Sequence, residues 1–235
     1  TLADIGPIRV QRRFRYELRQ RLDNRLPPRI ALAWAGAQGH PPRWRTIHPP
    51  ASGDGVLAPP QAAPNLRDVS FSFLNHERRL SWPIHWNDSQ WPRLWQFHLH
   101  YFDWAREWLK DSVSTGHWPD QSATLQPLLD SWIASNSPGC GDGWHSYTLS
   151  LRTRNWIALF RGCSSLATPE RLQSLWMQLC WLQAHPEHCH GGNHWLENLT
   201  ALAIGGLQFA GPKAIRMYCR AMRMLQRGRR QQVPS

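Results

Sequence analysis

From Trp91 onward, apolar side chains recur at the three- and four-residue intervals of an α-helix, and the pattern persists almost to the end of the chain. The stretch WPRLWQFHLHYFDWAREWLKD places Leu94, Trp95, His98, Tyr101, Phe102, Trp104 and Trp108 at such intervals. Pro92 falls near the first turn, where its missing N–H costs nothing. Further helices are predicted over 122–135, 149–162, 168–184, 193–210 and 212–228. Ser137-Pro138-Gly139, Gly162, Pro186, Gly191-Gly192 and Gly211-Pro212 separate them. Residues 67–84 instead alternate apolar and polar, which predicts a small β-hairpin turning around Asn75–Arg78.

Before the hairpin the pattern weakens. Residues 8–25 favour a helix with a thin apolar stripe at Ile8, Phe14, Leu18 and Leu22. Residues 26–66 are rich in Pro, Gly and Ala, with Pro-Pro at 27–28, 41–42, 49–50 and 59–60, and read as linker. The expected architecture is therefore mostly α, built of antiparallel helix pairs and preceded by an irregular N-terminal region with a small β-hairpin. The division falls at residue 66: an N-terminal helix and linker over 1–66, then a helical domain over 67–235.

Charge adds a partner class. The net charge is +11, and Lys occurs only at positions 110 and 213, so almost all the basic residues are Arg. The planar guanidinium pairs bidentately with carboxylate, sulfate or phosphate, which favours a polyanionic partner; a GC-rich genome would produce the same bias. The 15 Trp residues can stack on sugar rings or bases, although a helical core also needs many of them. Five cysteines without a CxxC pair do not form a disulfide framework or a zinc ribbon. No apolar run is long enough for a membrane span, and no basic-then-apolar export signal is visible.

Three segments are denser in polar and aromatic groups than packing requires. In His98–Trp104, one helix face would present His100, Asp103 and Trp104 while Trp95, Leu99 and Phe102 pack inward. In Gly143–Trp156 a loop runs into a helix whose first turns carry Arg152, Arg154 and Asn155, a setting that favours anions. The third, His185–Asn198, holds His185, His188, His190, His194, Cys189, Glu187 and Glu197. Its spacing matches neither HExxH nor a zinc finger, so no metal or other cofactor is expected. Asn193, just past Gly191-Gly192, can cap a helix or turn its amide toward a substrate carboxylate.

These three segments together resemble the heparinase II/III-like family of polysaccharide lyases. The matching patterns are LWQFHLHYFDW at Leu94–Trp104, W-x-x-Y-x-x-S-L-R-x-x-N-W at Trp144–Trp156, and G-N-H-x-x-E-N-x-x-A-L at Gly192–Leu202, over about residues 70–228. The resemblance implies an incomplete (α/α) toroid followed by a β-sandwich, β-elimination on uronic-acid-containing polysaccharides, and a periplasmic or secreted location. It implies that Asn193 neutralises the substrate carboxylate with His194 beside it. Tyr101, Trp144, Tyr147, Arg152, Arg154, Asn155 and Glu197 then line the substrate cleft. Such chemistry needs a neutralised carboxylate, a base for the C5 proton and an acid for the leaving oxygen.

The family's catalytic Tyr belongs to a D-G-x-x-x-E-x-S-x-x-Y-H stretch. This chain instead runs Leu225-Gln226-Arg227-Gly228 to Ser235, and Tyr218 lies within the preceding helix. The expectation is that the domain is C-terminally incomplete and inactive alone, its missing partner being the β-sandwich portion of the same enzyme. The other readings are a non-catalytic module for acidic glycans, a nucleic-acid binder, and a glycosidase using Asp103, Asp130, Asp142 or Glu197. No nucleic-acid reader motif is present, and no carboxylate pair is singled out by spacing.

Overall fold

The computed structural model describes residues 39–46, 68–115, 118–187 and 193–232, together with isolated positions between 11 and 37. The described residues form a mostly helical body with one small antiparallel hairpin at its N-terminal side. Of the predicted 8–25 helix, Gln11, Phe14 and Leu18 are helical, and the rest lies outside the described residues.

The hairpin pairs β1 (Asp68–Phe73) with β2 (His76–Ser81), in register from Asp68 opposite Ser81 to Phe73 opposite His76. Leu74 and Asn75 make the turn with φ of 55° and 62°. Two successive positive φ values give the turn whose twist matches that of paired strands, and Asn tolerates the conformation. The buried face, Val69, Phe71 and Leu80, packs onto the first helices. Phe71 meets Trp104 edge-on at 4.9 Å, and the Trp95 indole N–H donates to the His76 carbonyl at 3.0 Å.

The helix expected to run on from Trp91 is two helices. α1 (Arg93–Tyr101) ends at Phe102, which takes φ 60° and ψ 23°, and α2 (Asp103–Thr115) restarts at once. A left-handed residue with a Cβ costs about 1–2 kcal/mol. Complete burial of the Phe102 ring against Trp86, Trp104 and Trp156 offsets that cost, at about 1.5–3 kcal/mol for such a side chain. The break also changes which residues face outward. His100 is fully buried and Trp104 is 5 % exposed, so only Asp103 of the three lies on an open face.

α3 (Trp118–Ser135) and a 3-10 turn at Asp142–Trp144 lead into α4 (Ser146–Gly162). Then follow α5 (Pro169–Ala184), α6 (Asn193–Gln208) and α7 (Pro212–Gln232). α5 has the start its sequence promises, with the Thr168 side chain accepting from the Arg171 N–H and Pro169 in the first turn. α4 is the hub: it touches α1, α2, α5 and α6, and buries Leu149, Trp156, Leu159 and Phe160 among them. Part of the region read as linker belongs to this body. The Arg45 N–H donates to the Gln208 carbonyl at 2.9 Å, the Ala210 N–H to the Arg43 carbonyl at 2.8 Å, and Trp44 lies edge-on to Phe209.

Two adjacent glycines let α6 approach its neighbours. A Cβ on Gly205 would lie 2.6 Å from the end of the Leu179 side chain on α5. One on Gly206 would lie 2.6 Å from the Tyr218 backbone nitrogen and 2.8 Å from the Ala214 carbonyl on α7. Leucine can rotate away, whereas a helix backbone cannot. Gly206→Ala is therefore expected to destabilise by about 1–3 kcal/mol, and Gly205→Ala by clearly less. Chemical denaturation of the two variants checks this, and equal losses would contradict the close α6–α7 approach.

Candidate functional site

The site forms where the first turns of α4 meet the first turns of α6. Tyr147, Ser150 and Arg154 share one face of α4, at helical spacing, and each meets a partner on α6. Tyr147 stacks on the His194 ring at 4.1 Å with 22° between the planes. Ser150 Oγ accepts from Asn198 Nδ2 at 2.8 Å, and Arg154 pairs with Glu197. The middle rung is buried and the outer two reach solvent, so α4 and α6 enclose a polar strip that opens at Tyr147, His194 and Arg154.

Glu187 forms the floor at the N-terminal end. Its side chain is fully buried, and its two oxygens face two imidazoles: His145 Nε2 at 3.2 Å from Oε1 and His194 Nδ1 at 3.1 Å from Oε2. Its backbone N–H donates to Asn198 Oδ1 at 2.8 Å, and Asn198 is itself fully buried. Burial lowers the His145 pKa, while the neighbouring carboxylates of Glu187 and Asp142 oppose that shift. Burial raises the pKa of Tyr147 and of Tyr101, so both phenols keep their protons at neutral pH. Tyr101 stands edge-on to Tyr147 at 6.0 Å and is 8 % exposed.

The residues anticipated from sequence divide into two groups. Asn193 is exposed at the first position of α6, with His194, Glu197, Tyr147 and Arg154 on the same strip and Tyr101 behind it. Three others are structural. Trp144 is 5 % exposed, lies edge-on to Trp181 and donates its indole N–H to the Asn136 carbonyl at 3.2 Å, leaving no ring face for a sugar. Asn155 is 7 % exposed, donates to the Tyr101 carbonyl at 2.8 Å and accepts from Arg106 at 3.1 Å.

Arg152 is the clearest revision. It is fully buried on the opposite face of α4 from the strip, its guanidinium 3.8 Å from the centre of the Trp132 ring. Nε donates to Gln178 Oε1 at 2.8 Å and Nη1 to the His100 carbonyl at 3.4 Å. An interior guanidinium does not reach a polysaccharide. Sequence reading missed His145 and Glu187 as site residues. Glu187 is 42 residues away from His145 in sequence, beyond the reach of any short motif.

The carboxylates considered for glycosidase chemistry are each engaged. Asp130 takes a bidentate contact from Arg171 at 2.7 and 2.8 Å, Asp142 one from Arg93, and Glu197 pairs with Arg154. Asp103 Oδ1 accepts from the N–H of the next residue, Trp104, at 2.9 Å. Among the described residues no group of His, Cys, Asp and Glu is arranged to hold a metal ion. His188, Cys189 and His190 lie outside those residues. No helix among them is long and apolar enough to cross a membrane. A separate small hollow of about 20 Å³, lined by Gln183, Trp195, Leu199, Met217 and Arg220 among others, lies where α6 and α7 meet the end of α5.

No known protein-family model, curated protein or solved structure matches the chain.

Behind the site, His100 generates a pH dependence. Its Nδ1 accepts from the Trp132 indole N–H at 3.0 Å, so protonation there would set two donors against each other beside the Arg152 charge. Burial, first, and Arg152, second, push its pKa down to about 3. The unfolded chain therefore binds the proton more readily than the folded one. The stabilisation is complete above about pH 6.5 and is lost as pH falls toward 3, about 3 kcal/mol of it by pH 4. Stability measured against pH should show this acid loss. His100→Asn, which keeps an acceptor near Nδ1 without titrating, should be less stable at pH 7 but flatter between pH 6.5 and 4.

Proposed function

We propose that the chain holds a uronic-acid-containing polysaccharide in the α4–α6 strip, as the helical part of a β-eliminating lyase of the heparinase II/III type. The carrying observation is that Tyr147 stacks on His194 near the Arg154–Glu197 pair, with Asn193 exposed one residue before His194 at the start of α6. Each suits part of such a substrate. The Asn193 amide, exposed at a helix start where backbone N–H groups also point outward, offers uncharged donors to a carboxylate. His194 supplies an imidazole for proton transfer, and Tyr147 a phenol that burial keeps protonated. Arg154 brings positive charge to the rim, where a sugar carboxylate or sulfate can compete with Glu197. The toroid, the β-sandwich partner and an extracytoplasmic location belong to the same proposal, since they rest on the motif resemblance.

The second reading, a non-catalytic module for acidic glycans, has its own observation. α7 exposes Lys213, Arg216, Arg220, Arg223 and Arg227 at alternating three- and four-residue spacing, with no acidic residue along the helix. That is a single cationic stripe on the side of the helix away from buried Ala214, Met217 and Ala221.

Binding to a polyuronate and to heparan sulfate, measured at low and moderate salt, separates the two. The lyase reading expects salt-sensitive binding that Asn193→Ala and His194→Ala each weaken about tenfold, equivalent to about 1.4 kcal/mol. Arg216→Ala and Arg223→Ala should then have little effect. The reverse pattern supports the stripe as a module. Absence of binding to any acidic glycan contradicts both. Ultraviolet absorbance of an unsaturated uronate product reports elimination directly.

A further inference from the structure

We propose that Glu187 is a positioning residue that sets the tautomer of His194, so that His194 faces the cleft with its lone pair on Nε2. The proposal rests on the lyase reading for its purpose, but its geometry is independent of that reading. A carboxylate accepts hydrogen bonds and donates none. Glu187 Oε2 lies 3.1 Å from His194 Nδ1 in a hydrogen bond, so that nitrogen carries hydrogen; Oε1 lies 3.2 Å from His145 Nε2. In neutral His194 the lone pair is then on Nε2, at the far edge of the ring.

Three restraints hold that arrangement. Glu187 has no exposed surface, and its backbone is tied through Asn198 to Ser150 Oγ, so the carboxylate cannot swing into water. Tyr147 covers one face of the His194 ring at 4.1 Å, fixing its plane while Glu187 fixes its edge. His145 is held on its other side by Phe97, at 5.8 Å between ring centres. The charged and titratable groups around the pair are Asp142 and Arg93 toward His145, and Glu197, Arg154 and Tyr101 around Tyr147. His194 is 40 % exposed while Glu187 is wholly enclosed, the disposition of a reacting imidazole and the group that orients it.

In the sequence Glu187 stands as one acid of the His-rich run His185–Asn198, with nothing in its spacing to single it out. Its neighbours in space are His145 at the start of α4 and His194 at the start of α6.

The test is the imidazole nitrogen NMR spectrum of the full chain at mildly alkaline pH. The wild-type protein is expected to show hydrogen on Nδ1 of His194. Glu187→Leu keeps the volume but removes the acceptor, so His194 is expected to lose its preference for hydrogen on Nδ1, whereas a role in packing alone leaves the tautomer unchanged. Hydrogen on Nε2 of wild-type His194 overturns the proposal even if the variant does not fold, and so does an unchanged tautomer in a folded Glu187→Leu. Tautomers as expected, together with no binding of polyuronate or heparan sulfate, overturn the lyase reading and leave the positioning by Glu187 intact.

Discussion

α4 carries an arginine into the interior, and the rest of the helical body is arranged to tolerate it. Among the described residues no carboxylate pairs with Arg152. Its partners are the face of Trp132, an amide oxygen on Gln178 and a backbone carbonyl at His100. Desolvating a guanidinium costs several kcal/mol, and burial depresses its pKa well below the usual value. A desolvated cation–π contact returns about 2 kcal/mol and each hydrogen bond to a charged group about 1.5–3 kcal/mol. Among the described residues Arg152 Nη2 is buried without a hydrogen-bond partner, so loss of any of the remaining contacts leaves more of the charge unmet. Those partners come from α3, α5 and α1, and a single side chain on α4 thereby fixes three other helices around the hub.

The same helix turns its other face to the site, and this links packing to chemistry. Arg152 lies between Tyr147 and Arg154 in sequence, yet the helical turn sends it to the opposite side. With α4 clamped from behind, the rungs to α6 form against a rigid surface. Ser150, Asn198 and Glu187 make a chain of buried hydrogen-bonded groups from the hub to the His194 imidazole. A buried polar network of this kind is costly if any member is left unmet, which makes it specific. The protein holds its reactive-looking groups on helix starts rather than on loops, where their geometry is better defined.

How much of this was legible follows from what each signal encodes. Periodicity located the hairpin and the helices because burial of one face is a local property. It could not see the break at Phe102, since a left-handed residue there depends on the pocket formed by Trp86, Trp132 and Trp156 from distant parts of the chain. Arg152 and Trp144 looked like binding residues because polarity and ring size say nothing about which face of an element is enclosed. His194 and Tyr147, both named by the order of the motifs, stack on each other in the structure. His145 and Glu187 were not so named, because a contact between a loop histidine and a carboxylate far along the chain leaves no spacing to read.

The arginines, taken singly, bear on how far charge alone supports a polyanion partner. Arg93, Arg154 and Arg171 are each paired with a carboxylate, and Arg152 is sealed in the core. None of these four contributes an unopposed surface charge, although they supply much of the basic character of the helical body before α7. An unbroken row of exposed cations with no acidic residue on the same helix lies on α7. A high net charge therefore does not by itself point to the α4–α6 strip. What favours the strip is its mixture of groups: an uncharged amide, an imidazole, a protonated phenol and one exchangeable ion pair. A surface that merely attracts polyanions needs only the stripe. A site that acts on one carboxylate within a chain of them needs uncharged donors and an oriented proton acceptor, because a row of cations would hold the substrate and its anionic intermediate alike.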